Sequence, residues 1–253
     1  MKQNERLRLW AILFWIAVWQ GGSLLLRVLY PHGALLLASP ADALLRLLEL
    51  GITAAFWRAI AWSAVRIFGG FLAACVLAVF LAILASRRDW IRQLLAPLVS
   101  VIKTVPVASF IILALVWLRG SQLSLFISGL MVFPPVYLGV LEGLQQTDRD
   151  LLEMAEVYQV PAGRQLRYIY LPQTLPYFRS AVSVALGLCW KAGIAAEVIG
   201  ICSGSIGERL YTAKVYYQTP DLFAWTAVIV LISVVFERLF LAMTDAIAGK
   251  VGG

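Results

Sequence analysis

The stretch from Phe56 to Ala85 reads FWRAIAWSAVRIFGGFLAACVLAVFLAILA, and Arg58 and Arg66 are its only charged residues. It is longer than the roughly 20 apolar residues that a helix needs to cross a membrane. A helix on the surface of a soluble protein would carry polar side chains along one whole face, and this run does not. The run therefore predicts a membrane-spanning helix.

The composition of the whole chain supports a membrane protein. Of its 253 residues, 61% are hydrophobic and 14% are charged, and the mean hydropathy is +0.84. A soluble domain has about 25% charged residues, so this chain could not cover a single core with polar surface. The three cysteines, Cys75, Cys189 and Cys202, are widely spaced and show neither a disulfide nor a metal-ligand pattern, so no metal site is predicted.

Six segments are long and apolar enough to span a bilayer. The predicted spans are residues 9–30, 56–85, 97–118, 123–144, 176–200 and 222–246. The sequence thus predicts an all-α integral membrane protein, with residues 1–253 forming a single transmembrane domain.

The basic residues predict how the domain is oriented. Ten Lys and Arg residues fall on one side of the predicted spans and four on the other, or six if the flanking Arg27 and Arg58 are included. Because cytoplasmic loops are enriched in Lys and Arg, both termini are expected in the cytoplasm. The net charge of +7 is spread along the chain, so nucleic acid is not an expected partner and membrane lipid is. The first apolar run lacks a small-residue cleavage site and is expected to stay as an anchor.

Turn and cap residues predict local structure within this frame. Ser39-Pro40 is typical of a helix N-terminus, and a short amphipathic helix should follow it and end at Gly51. Pro106, Pro134-Pro135 and Gly187 are expected to interrupt the third, fourth and fifth spans. Such breaks could be hinges or simply places of close packing, and the sequence does not distinguish the two.

The connection 145–175 is the most polar part of the chain. Leu151, Ala155 and Tyr158 recur at helical spacing, so they predict an amphipathic helix that ends at Val160-Pro161-Ala162-Gly163. A second short helix is expected over 164–170. The pair could be a loop packed on its own helix ends or a knob that docks into a groove on a cytosolic partner.

The same connection carries a spaced motif. Glu153-Met154-Ala155, three residues, Gln159, nine residues and Ile169-Tyr170-Leu171-Pro172 resemble the EAA motif of the membrane subunits of binding-protein-dependent ABC importers. That motif reads Glu-Ala-Ala, three residues, Gly, nine residues, Ile-x-Leu-Pro. Met154 and Gln159 depart from it. Pro161 and Gly163 are expected to form the turn that the missing glycine would otherwise make.

Further residues are similar to the nitrate, taurine and sulfonate subgroup of this family. They are Ser39-Pro40, Ser63, Arg66, Gly69-Gly70, Lys103-Thr104-Val105-Pro106, Trp190, Glu197 and Gly207. The resemblance implies a type I importer permease in a bacterial inner membrane, moving a small polar or anionic solute such as a sulfonate, taurine or nitrate. It also implies three kinds of partner: a second permease copy or paralogue, two cytosolic ATPase subunits and an extracytoplasmic solute-binding protein.

ATP and Mg²⁺ would be bound by the ATPase, since this chain has no phosphate-binding Gly-x-x-x-x-Gly-Lys-Ser/Thr loop. No cofactor and no catalytic residue are therefore expected in the chain itself. By the same resemblance, the residues expected to couple to the ATPase are Leu151, Glu153, Met154, Ala155, Tyr158, Gln159, Ile169, Leu171 and Pro172.

Ionisable residues inside the predicted spans are candidates for the solute path. Each costs about 2.5–3.5 kcal/mol at the membrane centre, so it should face protein or water. The candidates are Arg66, Lys103, Lys191 and Glu197, together with Pro106 and Trp190. They could line the path and favour an anion, or pair with other groups and fix the packing of the helices. Glu237 and Arg238 lie nearer the inner end of the last span and are expected to snorkel towards water.

The alternative function is a secondary transporter or another polytopic carrier. Such proteins usually show paired broken segments in two related halves, which this sequence lacks. An intramembrane hydrolase is disfavoured because the single histidine, His32, lies in a predicted loop and Gly-x-Ser-x-Gly is absent.

Overall fold

The computed structural model describes residues 2–251, and side chains from 10 to 246 except at positions 12, 34 and 121. This part of the chain is helical and contains no strand. Its helices are α1 (Lys2–Leu29), α2 (Gly33–Leu36), α3 (Pro40–Gly51), α4 (Ala54–Arg87), α5 (Asp89–Thr104), α6 (Val107–Ala114), α7 (Ser121–Gln145), α8 (Arg149–Val157), α9 (Ala162–Gln165), α10 (Leu171–Ile199), α11 (Ile206–Val215) and α12 (Thr219–Val251). A π-helical turn, Leu166–Tyr170, joins α9 to α10. The prediction of an all-α protein is confirmed.

Within the described residues, four helical segments are long and apolar enough to cross a membrane: 54–87, 122–145, 162–199 and 219–246. The bent pair α5–α6 would make a fifth if it forms one span. The predicted first span lies on α1, whose described apolar part, Leu13–Leu29, is shorter than these four. The count of six therefore stays a prediction.

The third predicted span, 97–118, falls on two helices rather than on one straight helix. α5 ends at Thr104, α6 begins at Val107, and the two axes are bent by 104°. Pro106 cannot donate a backbone hydrogen bond, and a residue before proline avoids the helical conformation. Val105 accordingly has an extended backbone, with φ −75° and ψ 132°. The predicted break at Pro106 is confirmed.

The other predicted interruptions do not occur. α7 continues through Pro134 and Pro135, and α10 continues through Gly187. A membrane helix tolerates the loss of a hydrogen bond at proline when its neighbours hold it in place. α7 has such neighbours, because it packs against both α4 and α10.

Small residues bring these three helices close together. Gly70 of α4 faces Gly129 of α7, and an added Cβ at Gly129 would lie 3.0 Å from the Gly70 carbonyl oxygen. Gly139 and Gly143, spaced four apart on α7, lie against Ala181 and the 174–177 turn of α10. Close backbone approach through small residues is a usual means of packing helices in lipid. α4, α7 and α10 thus form the centre of the fold.

Polar contacts hold α1, α3 and the start of α12 together. The predicted cap at Ser39 is confirmed: its hydroxyl accepts a hydrogen bond from the Asp42 N–H at 3.1 Å, and the Ser39 N–H donates to the Asp42 carboxylate. The bond from the Ser39 hydroxyl, with help from Arg27 of α1, lowers the pKa of Asp42. Asp42 of α3 forms an ion pair with Arg27 of α1, and Arg46 of α3 forms one with Asp221 of α12. α3 therefore links α1 to the start of α12.

Candidate functional site

The connection between α7 and α10 forms a closed hairpin. Asp148 caps α8, and its carboxylate accepts a hydrogen bond from the Asp150 N–H at 2.9 Å. The Asp148 N–H donates to the side-chain oxygen of Gln173 at 2.8 Å, across the base of the hairpin. Gln173 belongs to the first turn of α10, so the hairpin is fixed to the spanning helix that follows it.

α8 ends in a left-handed turn at Gln159. Its φ is +50°, the Gln159 N–H donates to the Glu156 carbonyl, and the Val160 N–H donates to the Ala155 carbonyl. This pattern is a Schellman motif, in which the left-handed position favours glycine. The expectation that Pro161 and Gly163 take over the turn is wrong, because Gln159 itself adopts the conformation that the glycine would have.

The second helix of the hairpin is not separate. α9 passes through the π-helical turn Leu166–Tyr170 directly into α10, so Leu171-Pro172 does not end a helix. Pro172 has no N–H to give to a carbonyl in the preceding turn. The wider π turn accommodates this: the Leu171 N–H bonds back to the Leu166 carbonyl.

The predicted coupling residues divide between the inside and the outside of this hairpin. Ala155 is 0% exposed and Ile169 is 8% exposed, so both are covered within this chain. Met154, Val157 and Tyr158 are 48%, 78% and 76% exposed. The other predicted residues, Leu151, Glu153, Gln159 and Leu171, are exposed, and Pro172 is half-buried.

We call Met154, Val157 and Tyr158 the outer α8 face. The sequence prediction did not include Val157, because it took Leu151, Ala155 and Tyr158 as the apolar face of the helix. Its spacing of three residues from Met154 could have indicated it.

Glu197, near the end of α10, is the most enclosed of the path candidates. It is 0% exposed, and its carboxylate accepts hydrogen bonds from the Ser63 hydroxyl at 2.7 Å and the Ser124 hydroxyl at 3.3 Å. The Gly207 N–H, in the first turn of α11, donates at 3.3 Å. The carboxylate thus joins α4, α7, α10 and α11. Sequence reasoning did not single out Ser124, although a serine within an apolar run is a signal of such a bond.

Gly207 allows this arrangement. A Cβ at position 207 would overlap the Cβ and backbone of Glu197 and the backbone of Val198. Trp190, about two turns earlier on α10, is 2% exposed, and its ring centroid lies 5.4 Å from that of Phe236. Glu197 and Trp190 are therefore both enclosed by their own chain.

The basic candidates have different surroundings. Lys191 is exposed on α10, and within the described part of the chain no carboxylate pairs with it. Arg66 is half-buried with its guanidinium over Trp62, and its Nε and Nη1 have no hydrogen-bond partner among the described residues. Lys103 is exposed one turn before the break at Pro106. Among the described residues, no hydrogen bond or ion pair joins Arg66, Lys103 or Lys191 to Glu197.

Glu237 does not behave as expected. It is half-buried, and its carboxylate accepts a hydrogen bond from the Ser183 hydroxyl at 2.8 Å. It therefore holds α12 to α10 rather than snorkelling, whereas Arg238 is exposed.

The several apolar helices and the tied hairpin between α7 and α10 define the class of the protein as a multi-pass helical membrane protein. Residues 74–252 match the family of inner membrane components of binding-protein-dependent transport systems. The chain belongs to this family and is a permease subunit of an ABC importer.

Similar proteins include three transport permeases. One is the putative aliphatic sulfonates transport permease protein SsuC of Bacillus subtilis, 28% identical over 83% of this chain and 74% of that protein. Another is the taurine transport system permease protein TauC of Escherichia coli, 25% identical over 80% and 76%. The third is the nitrate import permease protein NrtB of Leptolyngbya laminosa, 29% identical over 64% and 57%.

Proposed function

We propose that this chain forms half of the translocation path of a type I ABC importer for a small oxyanion or zwitterion. Two permeases, two cytosolic ATPase subunits and an extracytoplasmic binding protein make up the assembly. The permease crosses the bacterial inner membrane six times, and both of its termini are in the cytoplasm. The observation that carries this proposal is the tied hairpin with its exposed apolar face.

The hairpin supports coupling to an ATPase. Met154, Val157 and Tyr158 present apolar surface from a loop that carries more charge than the spans around it. A short amphipathic helix of this kind suits a groove on a partner protein. The chain itself lacks a phosphate-binding loop, so ATP and Mg²⁺ are bound by the ATPase, where hydrolysis takes place. Movement of the hairpin reaches the path through Gln173 and the continuous helix 162–199.

The solute class is supported by two observations. The similar permeases are named for sulfonates, taurine and nitrate, which carry negatively charged oxygen atoms. Arg66, Lys103 and Lys191 place positive charge in or beside the spans, and an unpaired cation at this depth favours an anion. Glu197 and Trp190 serve the packing of the helices, because both are enclosed within the chain.

To test the proposal, the permease is co-expressed with a candidate ATPase and a candidate solute-binding protein, and the complex is purified. The complex is reconstituted in vesicles, and uptake of labelled ethanesulfonate, taurine, nitrate and bicarbonate is measured. We expect uptake of at least one of these compounds only when ATP, Mg²⁺ and the binding protein are all present.

The same vesicles distinguish the secondary transporter. Uptake driven by a proton or sodium gradient without ATP, or a permease that purifies without any ATPase, would contradict the importer.

A further inference from the structure

A cavity lies between α5 and the inner half of α7, apart from the hairpin and from the groups around Glu197. Its volume is about 440 Å³, within the range of small-molecule sites. The α5 wall carries Arg92, Ser100 and Lys103, and Tyr137 and Leu141 are among the residues on the α7 wall. The cavity is partly open, and two of its lining residues, Arg92 and Lys103, are exposed.

The α5 residues that line this cavity, polar and apolar, lie on one face of the helix. Positions 92, 96, 99, 100 and 103 recur at three- and four-residue spacing, so they share a helix face. Arg92 and Lys103 are about 16 Å apart along the helix axis, at 1.5 Å per residue. The wall therefore has a cation towards each end.

Tyr137 supplies the second observation. It is 2% exposed, yet its hydroxyl has no hydrogen-bond partner among the described residues. A buried hydroxyl without a partner costs about 1–3 kcal/mol, so folded proteins rarely keep one. The ring is fixed by stacking on Phe133, with centroids 5.7 Å apart. Tyr137 lines the cavity, and its hydroxyl is a buried donor without an acceptor among the described residues.

The charge of the lining determines the kind of ligand. None of the described residues that line the cavity carries a carboxylate. Asp89 pairs with Arg92 at 3.1 Å on the exposed surface, where such a pair is weak. The lining thus offers an ammonium, a guanidinium and the hydroxyls of Tyr137 and Ser100, all of which can donate. A small oxyanion can accept from these groups, whereas a cation would meet repulsion.

From these contacts we propose that the cavity between α5 and α7 is an oxyanion-binding half-site of the solute path. Lys103 and Arg92 supply the charge, and Tyr137 supplies the directional hydrogen bond. This inference rests on the proposed function for the identity of the ligand. A lipid phosphate has the same chemistry, so the test separates the two sources.

The test uses the permease–ATPase complex in nanodiscs of neutral phosphatidylcholine. Ser100→Cys places a thiol in the cavity, and the native cysteines are buried. The thiol is treated with an anionic reagent, sulfonatoethyl methanethiosulfonate, and separately with its trimethylammonium counterpart. Gln93→Cys is the matched control, because it is exposed on the same helix outside the cavity.

We expect the ratio of anionic to cationic labelling rates to be at least about tenfold higher at Ser100→Cys than at Gln93→Cys, since a cationic cleft concentrates anions. Adding Lys103→Met or Arg92→Gln should lower the ratio, and Lys103→Arg should preserve it. Equal ratios at both positions, or a ratio unaffected by both charge removals, would overturn the proposal.

Protection identifies the source of the anion. Ethanesulfonate, nitrate or bicarbonate should slow labelling at Ser100→Cys, and phosphatidylglycerol in the nanodisc should not. Protection by the lipid alone would make the cavity a lipid site and refute the solute site. Tyr137→Phe should leave thermal stability unchanged or raised, while the anion concentration for half-protection rises about fivefold or more. Unchanged protection would remove Tyr137 from the site.

Failure of the site and failure of the importer give different results. ATP-driven uptake by the unmodified complex tests the proposed function and does not depend on labelling at position 100. Normal uptake with no charge preference at Ser100→Cys would reject the half-site alone. Absence of any ATPase in the purified complex would reject the proposed function.

Discussion

Gln159 holds a left-handed backbone that glycine adopts without steric cost. For other residues this conformation costs about 1–2 kcal/mol, and the hydrogen bonds of the α8 terminus maintain it here. The cost is borne at the hairpin that we propose couples to the ATPase.

The first prediction concerns this residue. Gln159→Gly should stabilise the hairpin by up to about 1 kcal/mol, because the strain is removed, although glycine adds entropy to the unfolded chain. Gln159→Val should destabilise it by about the same amount or more, since a β-branched side chain fits this conformation poorly. The rate at which a protease cleaves the hairpin in the purified permease measures the stability change in each variant. Equal cleavage rates in the two variants would contradict the strain.

The second prediction uses two glycines with different surroundings. Gly207→Ala should destabilise the permease by about 1–3 kcal/mol, because the new methyl group would overlap the Glu197 backbone. Gly187→Ala is the control: nothing lies within 4 Å of its added Cβ, and alanine favours a helix. Thermal unfolding in detergent should show a lower Tm only for the first variant. A similar loss for both would show that contact with Glu197 is not the cause.

At the scale of elements, α8 has one side covered by the chain and one side free. Ala155 is on the covered side, so Ala155→Arg would disrupt the hairpin itself as well as any docking. The outer α8 face can be changed without that effect because its side chains are exposed.

The third prediction follows from this difference. Val157→Asp should lower affinity for the ATPase at least about tenfold, since about 1.4 kcal/mol suffices and a charge buried in an apolar contact costs more. The hairpin should stay folded, because Val157 is 78% exposed. Glu156→Gln is the matched control on the adjacent exposed position. Co-purification and solute-stimulated ATP hydrolysis measure the effect, and full ATPase retention in Val157→Asp would remove the outer α8 face from the docking role.

At the scale of the whole molecule, the distribution of basic residues predicts how the helices are oriented across the membrane. The excess of Lys and Arg favours cytoplasmic termini, which places the hairpin inside and the α11–α12 connection outside. Both regions have exposed positions that a reagent can reach.

The fourth prediction tests this orientation. Gln218→Cys should react with a membrane-impermeant maleimide in intact cells, and Arg164→Cys should react only after the membrane is opened. Both positions are exposed, and Cys75, Cys189 and Cys202 are buried, so the native thiols should give little background. The reverse pattern would place the hairpin outside and contradict coupling to a cytosolic ATPase.

Helical class, membrane location and the hairpin were predictable from the sequence because they depend on local properties. Apolar runs indicate spans, Ser39-Pro40 indicates a cap, and Pro106 ends a helix through its own covalent geometry. The EAA-like spacing in the hairpin indicated the family, which the match over residues 74–252 shows.

Only the tertiary structure decided what each polar side chain contacts. Ala155 and Met154 are neighbours in the motif, yet one is covered and the other exposed. Glu197 could have lined a path, but Ser63, Ser124 and Gly207, distant in sequence, bind its carboxylate. Tyr137 lies in an ordinary apolar run, and only the folded structure shows that its buried hydroxyl has no partner among the described residues. The physical reason is that burial and hydrogen-bond partners depend on which helix faces are brought together, and local spacing does not specify these faces.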